Sequence, residues 1–124
     1  MQFKLYVDDI RPAPEGWQQA RTVTDAISFL YRFGEAVTEI SLDHDISYAV
    51  EVAGTQRPFP SPETFMAVAY YIVEYFKGYD NYPKITLHSA NPVGIDAMFK
   101  LFEDKGVLAD IQPASRVNRL ESEV

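Results

Sequence analysis

The chain contains no cysteine, which excludes disulfides, thiolate-bound zinc and iron–sulfur clusters. Basic residues are also scarce: 11 Lys and Arg stand against 18 Asp and Glu, for a formal charge of −7. A surface of this sign repels polyanions, so we expect no nucleic-acid partner. It does not exclude phosphate chemistry, because a divalent cation can reverse the local field.

No apolar run approaches the roughly 20 residues that cross a bilayer. The hydrophobic content of 47% nevertheless predicts a folded chain with its own core. We therefore expect a single domain over residues 1–124, no membrane partner and a cytoplasmic location. The polar residues 114–124 are predicted to be a partly disordered tail, and the sequence leaves the oligomeric state open.

Three short apolar runs each end abruptly in a polar cluster. A buried strand does not accommodate consecutive carboxylates, so each cluster marks the point where a strand leaves a sheet. Both histidines of the chain belong to these clusters. The clusters are Asp8-Asp9, Asp43-His44-Asp45 and His88-Ser89-Ala90-Asn91.

Predicted strands and helices alternate along the chain, which indicates a parallel sheet with helices on both faces. Strands are predicted at 3–7, 22–23, 39–42, 84–87 and 107–111. Helices are predicted after an N-cap at Thr24, from Ser61-Pro62 to about Lys77, and from Pro92 to Lys105. The fold class is therefore α/β: a flavodoxin-like three-layer sandwich with strand order 2-1-3-4(-5).

The sequence does not decide the secondary structure of residues 46–60. Alternating Tyr48, Val50 and Val52 favour a small hairpin, whereas Gly54 and the prolines from Pro58 favour a loop. A connection that begins at a carboxylate cluster is a candidate lid or substrate-selecting insert. An ordinary surface loop explains the pattern equally well.

In doubly wound sheets ligands bind beyond the carboxyl ends of the strands, where the strand order reverses. The three polar clusters are predicted to meet there in one crevice. Several carboxylates in one crevice need a counter-charge, and oxygen ligands suit Mg²⁺ or Mn²⁺. The expected metal ligands are Asp8, Asp9 and Asp45; the expected catalytic residues are Asp43, Asp45 and His88; and the expected substrate contacts are Arg11, His44, Ser89 and Asn91.

Simpler interpretations remain open for several of these residues. Alternation cannot decide which of Asp43 and Asp45 faces the crevice, and either could serve a turn instead. His44 fits a packed, hydrogen-bonded position as well as a catalytic one. Asn91 before Pro92 fits a helix N-cap, and Arg11 fits an ion pair with Asp8 or Asp9.

Together these stretches resemble the cyclic-phosphate processing receiver-like family, a relative of the two-component receiver domains. The resembling stretches cover residues 5–11, 16–17, 21–22, 40–45 and 88–94. The resemblance implies that Asp8 and Asp9 match the metal-binding acidic pair of a receiver. It also implies that Asp43 or Asp45 stands at the phosphate-accepting position, and that a cyclic phosphate such as a cyclic nucleotide is the small-molecule partner.

The sequence departs from receivers in one respect: no lysine follows the fifth predicted strand, since Lys105 precedes it. This disfavours aspartyl-phosphate signalling and favours metal-dependent phosphodiester hydrolysis in the same crevice, by an enzyme of the phosphohydrolase class. One alternative is a non-catalytic signalling or nucleotide-sensing module. Another is a metal-dependent phosphatase of the haloacid-dehalogenase type, although its DxD motif follows the first strand and Asp43-His44-Asp45 follows the third.

Overall fold

The computed structural model describes residues 1–112, with the backbone path alone for residues 48–52 and 56–62. The predicted tail at 114–124 lies outside the described residues. The strands are β1 (Phe3–Val7), β2 (Gln18–Ala20), β3 (Val37–Leu42), β4 (Asp45–Val52), β5 (Thr55–Thr64), β6 (Lys84–Leu87) and β7 (Ala109–Ile111). The helices are α1 (Val23–Phe33), α2 (Met66–Tyr75) and α3 (Pro92–Asp104), with a short 3₁₀ turn at Gly34–Ala36.

Five strands form one parallel sheet in the order β2-β1-β3-β6-β7. The two remaining strands, β4 and β5, form a separate antiparallel hairpin. With the hairpin set aside, this order is the predicted 2-1-3-4-5, and the receiver-like α/β fold class is confirmed. The strand order reverses between β1 and β3, because the chain crosses from β2 past β1 to reach β3.

The sheet and the three helices enclose one hydrophobic core. Alternate residues of the central strands point into it, and adjacent strands are in step, with Val7 paired to Leu42 and Leu42 to Leu87. The helices lie side by side, α1 against α2 and α2 against α3. Each fully buried aliphatic side chain contributes roughly 1.5–3 kcal/mol. The largest sheet contributors are Leu5, Val7, Ile40, Leu42, Ile85 and Leu87.

The start of α1 differs from the prediction. Thr22 and Val23 were expected to form a strand and Thr24 to cap the helix, but β2 lies earlier and Thr22 is the N-cap. Its extended backbone lets Thr22 Oγ1 accept a hydrogen bond from the Asp25 amide at 3.0 Å. Either Thr22 or Thr24 fits the local pattern of an N-cap. Because β2 ends at Ala20, where it pairs with β1, the helix begins early enough for Thr22 to be the cap.

Residues 45–64 form a hairpin, which confirms the alternative that Tyr48, Val50 and Val52 favoured. The loop favoured by the prolines from Pro58 and the helix start predicted at Ser61-Pro62 are both wrong. The turn places Ala53 and Gly54 at positive φ (52° and 78°), as a tight hairpin turn requires. Pairing of Asp45 with Thr64 carries β5 beyond the proline-rich stretch. The helix α2 therefore begins only at Met66, and Thr64 Oγ1 accepts the Met66 amide at 3.2 Å.

Among the described residues, no helix has both the length and the apolar character that crossing a membrane requires.

Candidate functional site

The crevice residues are brought together because the parallel ladder continues one step past each strand. The amide of Asp8 bonds to Ala20 O at 3.0 Å, that of Asp43 to Val7 O at 2.9 Å, and that of His88 to Leu42 O at 3.0 Å. These three residues therefore lie side by side at the carboxyl end of the sheet. Because Val7, Leu42 and Leu87 face the core, the next residue of each strand points to the opposite face.

Asp8, Asp43 and His88 form a buried cluster suited to a cation. One ligand atom from each lies within 4.8 Å of the others, and the three residues are at most 2% exposed. Two carboxylates and an imidazole are a donor set that divalent cations accept, with the oxygens suited to Mg²⁺ or Mn²⁺. The predicted ligands Asp9 and Asp45 are not members of this cluster, whereas Asp43 and His88 are.

His88 is held at both ring nitrogens. Nε2 donates to Asp8 Oδ2 at 2.9 Å, and Nδ1 lies 2.6 Å from Ser41 Oγ. The ring also stacks on Tyr6, with centroids 4.5 Å apart and planes 9° from parallel. Since Nε2 donates to a carboxylate, Nδ1 of the neutral ring accepts a hydrogen bond from the Ser41 hydroxyl. His88 is therefore fixed in place, and an acid–base role there requires one of these contacts to break.

The pKa values of the two carboxyls in the cluster are shifted in opposite directions. Burial, together with the neighbouring Asp8 charge, raises the pKa of Asp43 to about 7, against the lowering effects of the His44 amide and Arg11. Burial alone would raise the pKa of Asp8 as well. Hydrogen bonds from His88 and from two backbone amides outweigh it, so the pKa of Asp8 falls below its ordinary value. Neighbouring acids whose pKa values are shifted apart in this way are typical of functional sites.

Arg11 is the cation that the chain itself brings to these acids. Its Nη1 lies 3.6 Å from both Asp8 Oδ2 and Asp43 Oδ2, and the residue is 7% exposed. The pKa of Asp43 stays high because burial, together with the Asp8 charge, outweighs the lowering effect of Arg11. The predicted ion pair of Arg11 therefore exists, and it leaves the cluster short of positive charge whenever Asp43 ionises.

A cavity of about 300 Å³ opens onto this cluster. Of the described residues, Arg11 and Asp43 both line it and contact the buried acids, so they connect the cavity with Asp8 and His88 behind it. This volume is at the lower end of the range for small-molecule sites. The lining residues are Asp9, Ile10, Arg11, Asp43, Asp45, Ser47, Ser89, Ala90 and Asn91.

Asp9 ties the hairpin to the crevice. Its Oδ2 accepts hydrogen bonds from the Ser47 amide at 2.7 Å and from Ser47 Oγ at 3.2 Å. Asp9 thus lines the cavity while its carboxylate fixes the first residues of β4. The hairpin base borders the cavity through Ser47, and whether the hairpin acts as a lid stays a prediction.

Asp45, His44 and Asn91 form a second cluster at the exposed rim. Asp45 Oδ1 accepts from His44 Nδ1 at 2.8 Å and from Asn91 Nδ2 at 3.0 Å. Asn91 Oδ1 also caps α3, accepting the amides of Val93 and Gly94 at 3.1 Å each. Asn91 thus both caps the helix and borders the cavity, whereas His44 is not among the lining residues.

Gly94 allows the helix start to approach the rim. A Cβ there would overlap the His44 ring, so only glycine leaves room for it. The backbone of α3 therefore supports the ring that hydrogen-bonds Asp45. The His44 ring thus occupies the space directly beside the first turn of α3 at Gly94.

Three residues that hold the site together escaped the sequence interpretation. Ser41 is a strand residue outside the three polar clusters, and Ser47 lies within the 46–60 segment. Gln19, whose Nε2 donates to the carbonyl oxygens of Asp8 and Arg11, belongs to the edge strand β2, which was predicted at 22–23. Strand alternation could have placed Ser41 on the face of Asp43. The other two contacts depend on loops that the local pattern does not specify.

Comparison with known proteins identifies the family. A family model described as the cyclic-phosphate processing receiver domain matches residues 3–104. The chain belongs to this family. No curated protein and no solved structure matches the chain significantly.

In this member of the receiver domain family the crevice lies at the carboxyl end of the sheet, at the point where the strand order reverses. The chain still offers no lysine after β7: Lys105 is the C-cap of α3, and the next residues to the end of the chain contain none. Arg11 instead contacts the acids from the β1 side.

Proposed function

We propose that this receiver domain processes a cyclic phosphate, such as a cyclic nucleotide, by metal-dependent phosphodiester hydrolysis. The observation that supports this most strongly is the buried Asp8–Asp43–His88 cluster, whose Asp43 also lines the cavity. The family name supports the substrate class. When bound, Mg²⁺ or Mn²⁺ would supply Lewis-acid polarisation of the phosphate and compensate the paired carboxylates.

Asp8 and Asp43 are the proposed metal ligands, with His88 orienting Asp8. Of the two assignments left open by the sequence, geometry favours Asp43 over Asp45 as the acid beside Asp8. The hydrogen bonds of the Asp9 carboxylate to Ser47 favour a structural role for Asp9 over a role as metal ligand. Because the two proposed ligands are carboxylates and both ring nitrogens of His88 are occupied, the donor set suits either Mg²⁺ or Mn²⁺.

Arg11, Ser89 and Asn91 are the proposed phosphate contacts. All three line the cavity, and an arginine can bind phosphate through two parallel hydrogen bonds. Asp45, exposed at the rim and oriented by His44 and Asn91, is the proposed acceptor of a proton from an attacking water. His44 then acts through Asp45 and has no direct substrate contact.

The test is incubation of the protein with Mg²⁺ or Mn²⁺ and a panel of 2′,3′- and 3′,5′-cyclic nucleotides, followed by chromatography for linear products. We expect turnover of at least one member, abolished in Asp43→Asn and retained in Asp104→Asn. Asp104 is an exposed acid at the end of α3, so this variant controls for loss of one charge. If no cyclic nucleotide is opened, hydrolysis is not the function of the crevice.

A second candidate is a binding module that senses a cyclic phosphate without opening it. The observation that favours it is the burial of His88 with both ring nitrogens occupied, which leaves the deepest basic group without access to substrate. Calorimetry with the same panel separates the two functions. Saturable binding with no linear product after prolonged incubation would support the sensing module over the hydrolase.

A further inference from the structure

We propose that Gln19 is a positioning residue for the crevice, one that fixes the backbone of residues 8–13 and so sets the Asp8 and Arg11 side chains. Gln19 lies in the edge strand β2, beside Tyr6 of β1, and does not line the cavity. The metal-affinity part of the test below rests on the proposed function. The loop-ordering part does not.

The side-chain amide of Gln19 uses both of its ends on this segment. Nε2 donates to the carbonyl oxygen of Asp8 at 2.8 Å and to that of Arg11 at 3.1 Å. Oε1 accepts the amide of Ala13. One side chain therefore joins Asp8, Arg11 and Ala13 within the connection from β1 to β2.

The segment needs such a partner because it lies outside the ladder. After Asp8 the chain turns away from β2, and Pro12 and Pro14 remove two backbone donors. Asp8 Oδ1 closes the turn by accepting the amides of Ile10 and Arg11 at 2.9 and 2.8 Å. The carbonyl oxygens of Asp8 and Arg11 are then satisfied by Gln19.

In this arrangement the two carboxylate oxygens of Asp8 have different partners. Oδ1 holds the turn, which leaves Oδ2 facing His88 and Arg11. If the turn loosens, Oδ1 and Oδ2 exchange freely between these partners and the acid pair loses its geometry. Residues that orient metal ligands from behind typically change metal affinity 10–100-fold when mutated, and we expect Gln19 to fall in that range.

The test uses Gln19→Glu and Gln18→Glu. Glutamate matches the shape of glutamine but replaces the donor with an anion that faces two carbonyl oxygens. Gln18 is exposed and adjacent in β2, and its side chain points to the opposite side of the strand, so it is a matched charge control. Amide hydrogen exchange is measured by NMR, and Mn²⁺ binding by calorimetry, on the full chain.

For Gln19→Glu we expect exchange of the Ile10, Arg11 and Ala13 amides at least 10-fold faster, with exchange of the core amide of Ile40 unchanged. The Kd for Mn²⁺ should rise about 10–100-fold. Gln18→Glu should leave both quantities within about twofold. Gln19→Met, which removes the hydrogen bonds without adding charge, replaces the glutamate variant if that variant does not fold.

The proposal is overturned if the folded Gln19 variant keeps both the loop protection and the Mn²⁺ affinity of the parent, or if Gln18→Glu reproduces its effects. Faster loop exchange with unchanged Mn²⁺ affinity would also overturn it, because Gln19 would then be structural only. If the parent itself binds no Mn²⁺, the proposed function fails, and unaltered loop exchange in the variant would separately refute the role of Gln19.

Discussion

Replacing Asp43 with asparagine should stabilise the protein at alkaline pH while destroying its proposed function. The pKa of Asp43 is raised from an ordinary value of 3.8 to about 7, chiefly by burial. A carboxyl whose pKa is raised by folding binds its proton more tightly in the folded state. Its contribution to stability is therefore fully present below about pH 4 and is lost as the pH rises through 7.

The size of the effect follows from the shift. A shift of about three pKa units, at about 1.4 kcal/mol each, means that the ionised Asp43 destabilises the folded parent by roughly 4 kcal/mol above pH 7. The neutral side chain of Asp43→Asn does not have this cost. Asparagine can still accept the His44 amide that Asp43 Oδ1 accepts at 2.7 Å, so little of this gain is lost. We expect a net gain of about 1–4 kcal/mol at about pH 8.5, most of it gone at about pH 4.5.

The assay is urea denaturation in EDTA at both pH values, with Asp104→Asn as the exposed control, expected to change stability by less than about 0.5 kcal/mol. Adding Mn²⁺ should stabilise the parent and leave the Asp43 variant unchanged, by the usual linkage of binding to folding. If Asp43→Asn is less stable than the parent at alkaline pH without metal, or gains equally at both pH values, the acid pair is not strained as described.

Three further substitutions test other parts of the site. Arg11→Met should raise the pKa of Asp43 further, because it removes the positive charge beside that carboxyl. In urea denaturation the free energy of unfolding should fall by about 2–4 kcal/mol at about pH 8.5 and by less in acid. Equal losses at both pH values would contradict the role of the charge. Gly94→Ala should displace the His44 ring and cost about 1–3 kcal/mol, whereas the exposed Val93→Ala should be nearly neutral; a neutral Gly94→Ala would refute the close approach. Asp9→Ala should speed exchange of the Ser47 amide about 10–100-fold, and unchanged exchange would show that Asp9 does not hold the hairpin.

The parts of the fold predicted well are those where local pattern and long-range pairing agree. The bounds 3–7 of β1 were predicted because an apolar run meets two carboxylates, and a buried strand must end there. The start of α3 was predicted because Asn91 and Pro92 give a strong capping signal, which the structure uses. The parallel sheet was predicted from the alternation of strands and helices, and its strand order from the flavodoxin-like arrangement of such sheets.

The helix start at Ser61-Pro62 failed because the same residue types also fit a strand paired at long range. Pairing of β5 with β4 on both sides of this stretch, at Pro60 and at Thr64, draws it into the hairpin, and no local signal indicates such a partner. Asp43 and Asp45 could not be separated for a similar reason. Asp43 continues the pleat of β3, whereas Asp45 begins a different strand, and that break was invisible in the sequence.

The proposed function depends on the binding of a divalent cation by the buried acids of the crevice. Titration calorimetry with Mn²⁺ at neutral pH tests it most directly, on the parent, Asp43→Asn and Asp104→Asn. We expect one saturable site per chain in the parent and in Asp104→Asn, with proton release as Asp43 ionises, and no site in Asp43→Asn. Absence of binding in the parent, or unchanged binding in Asp43→Asn, would contradict it.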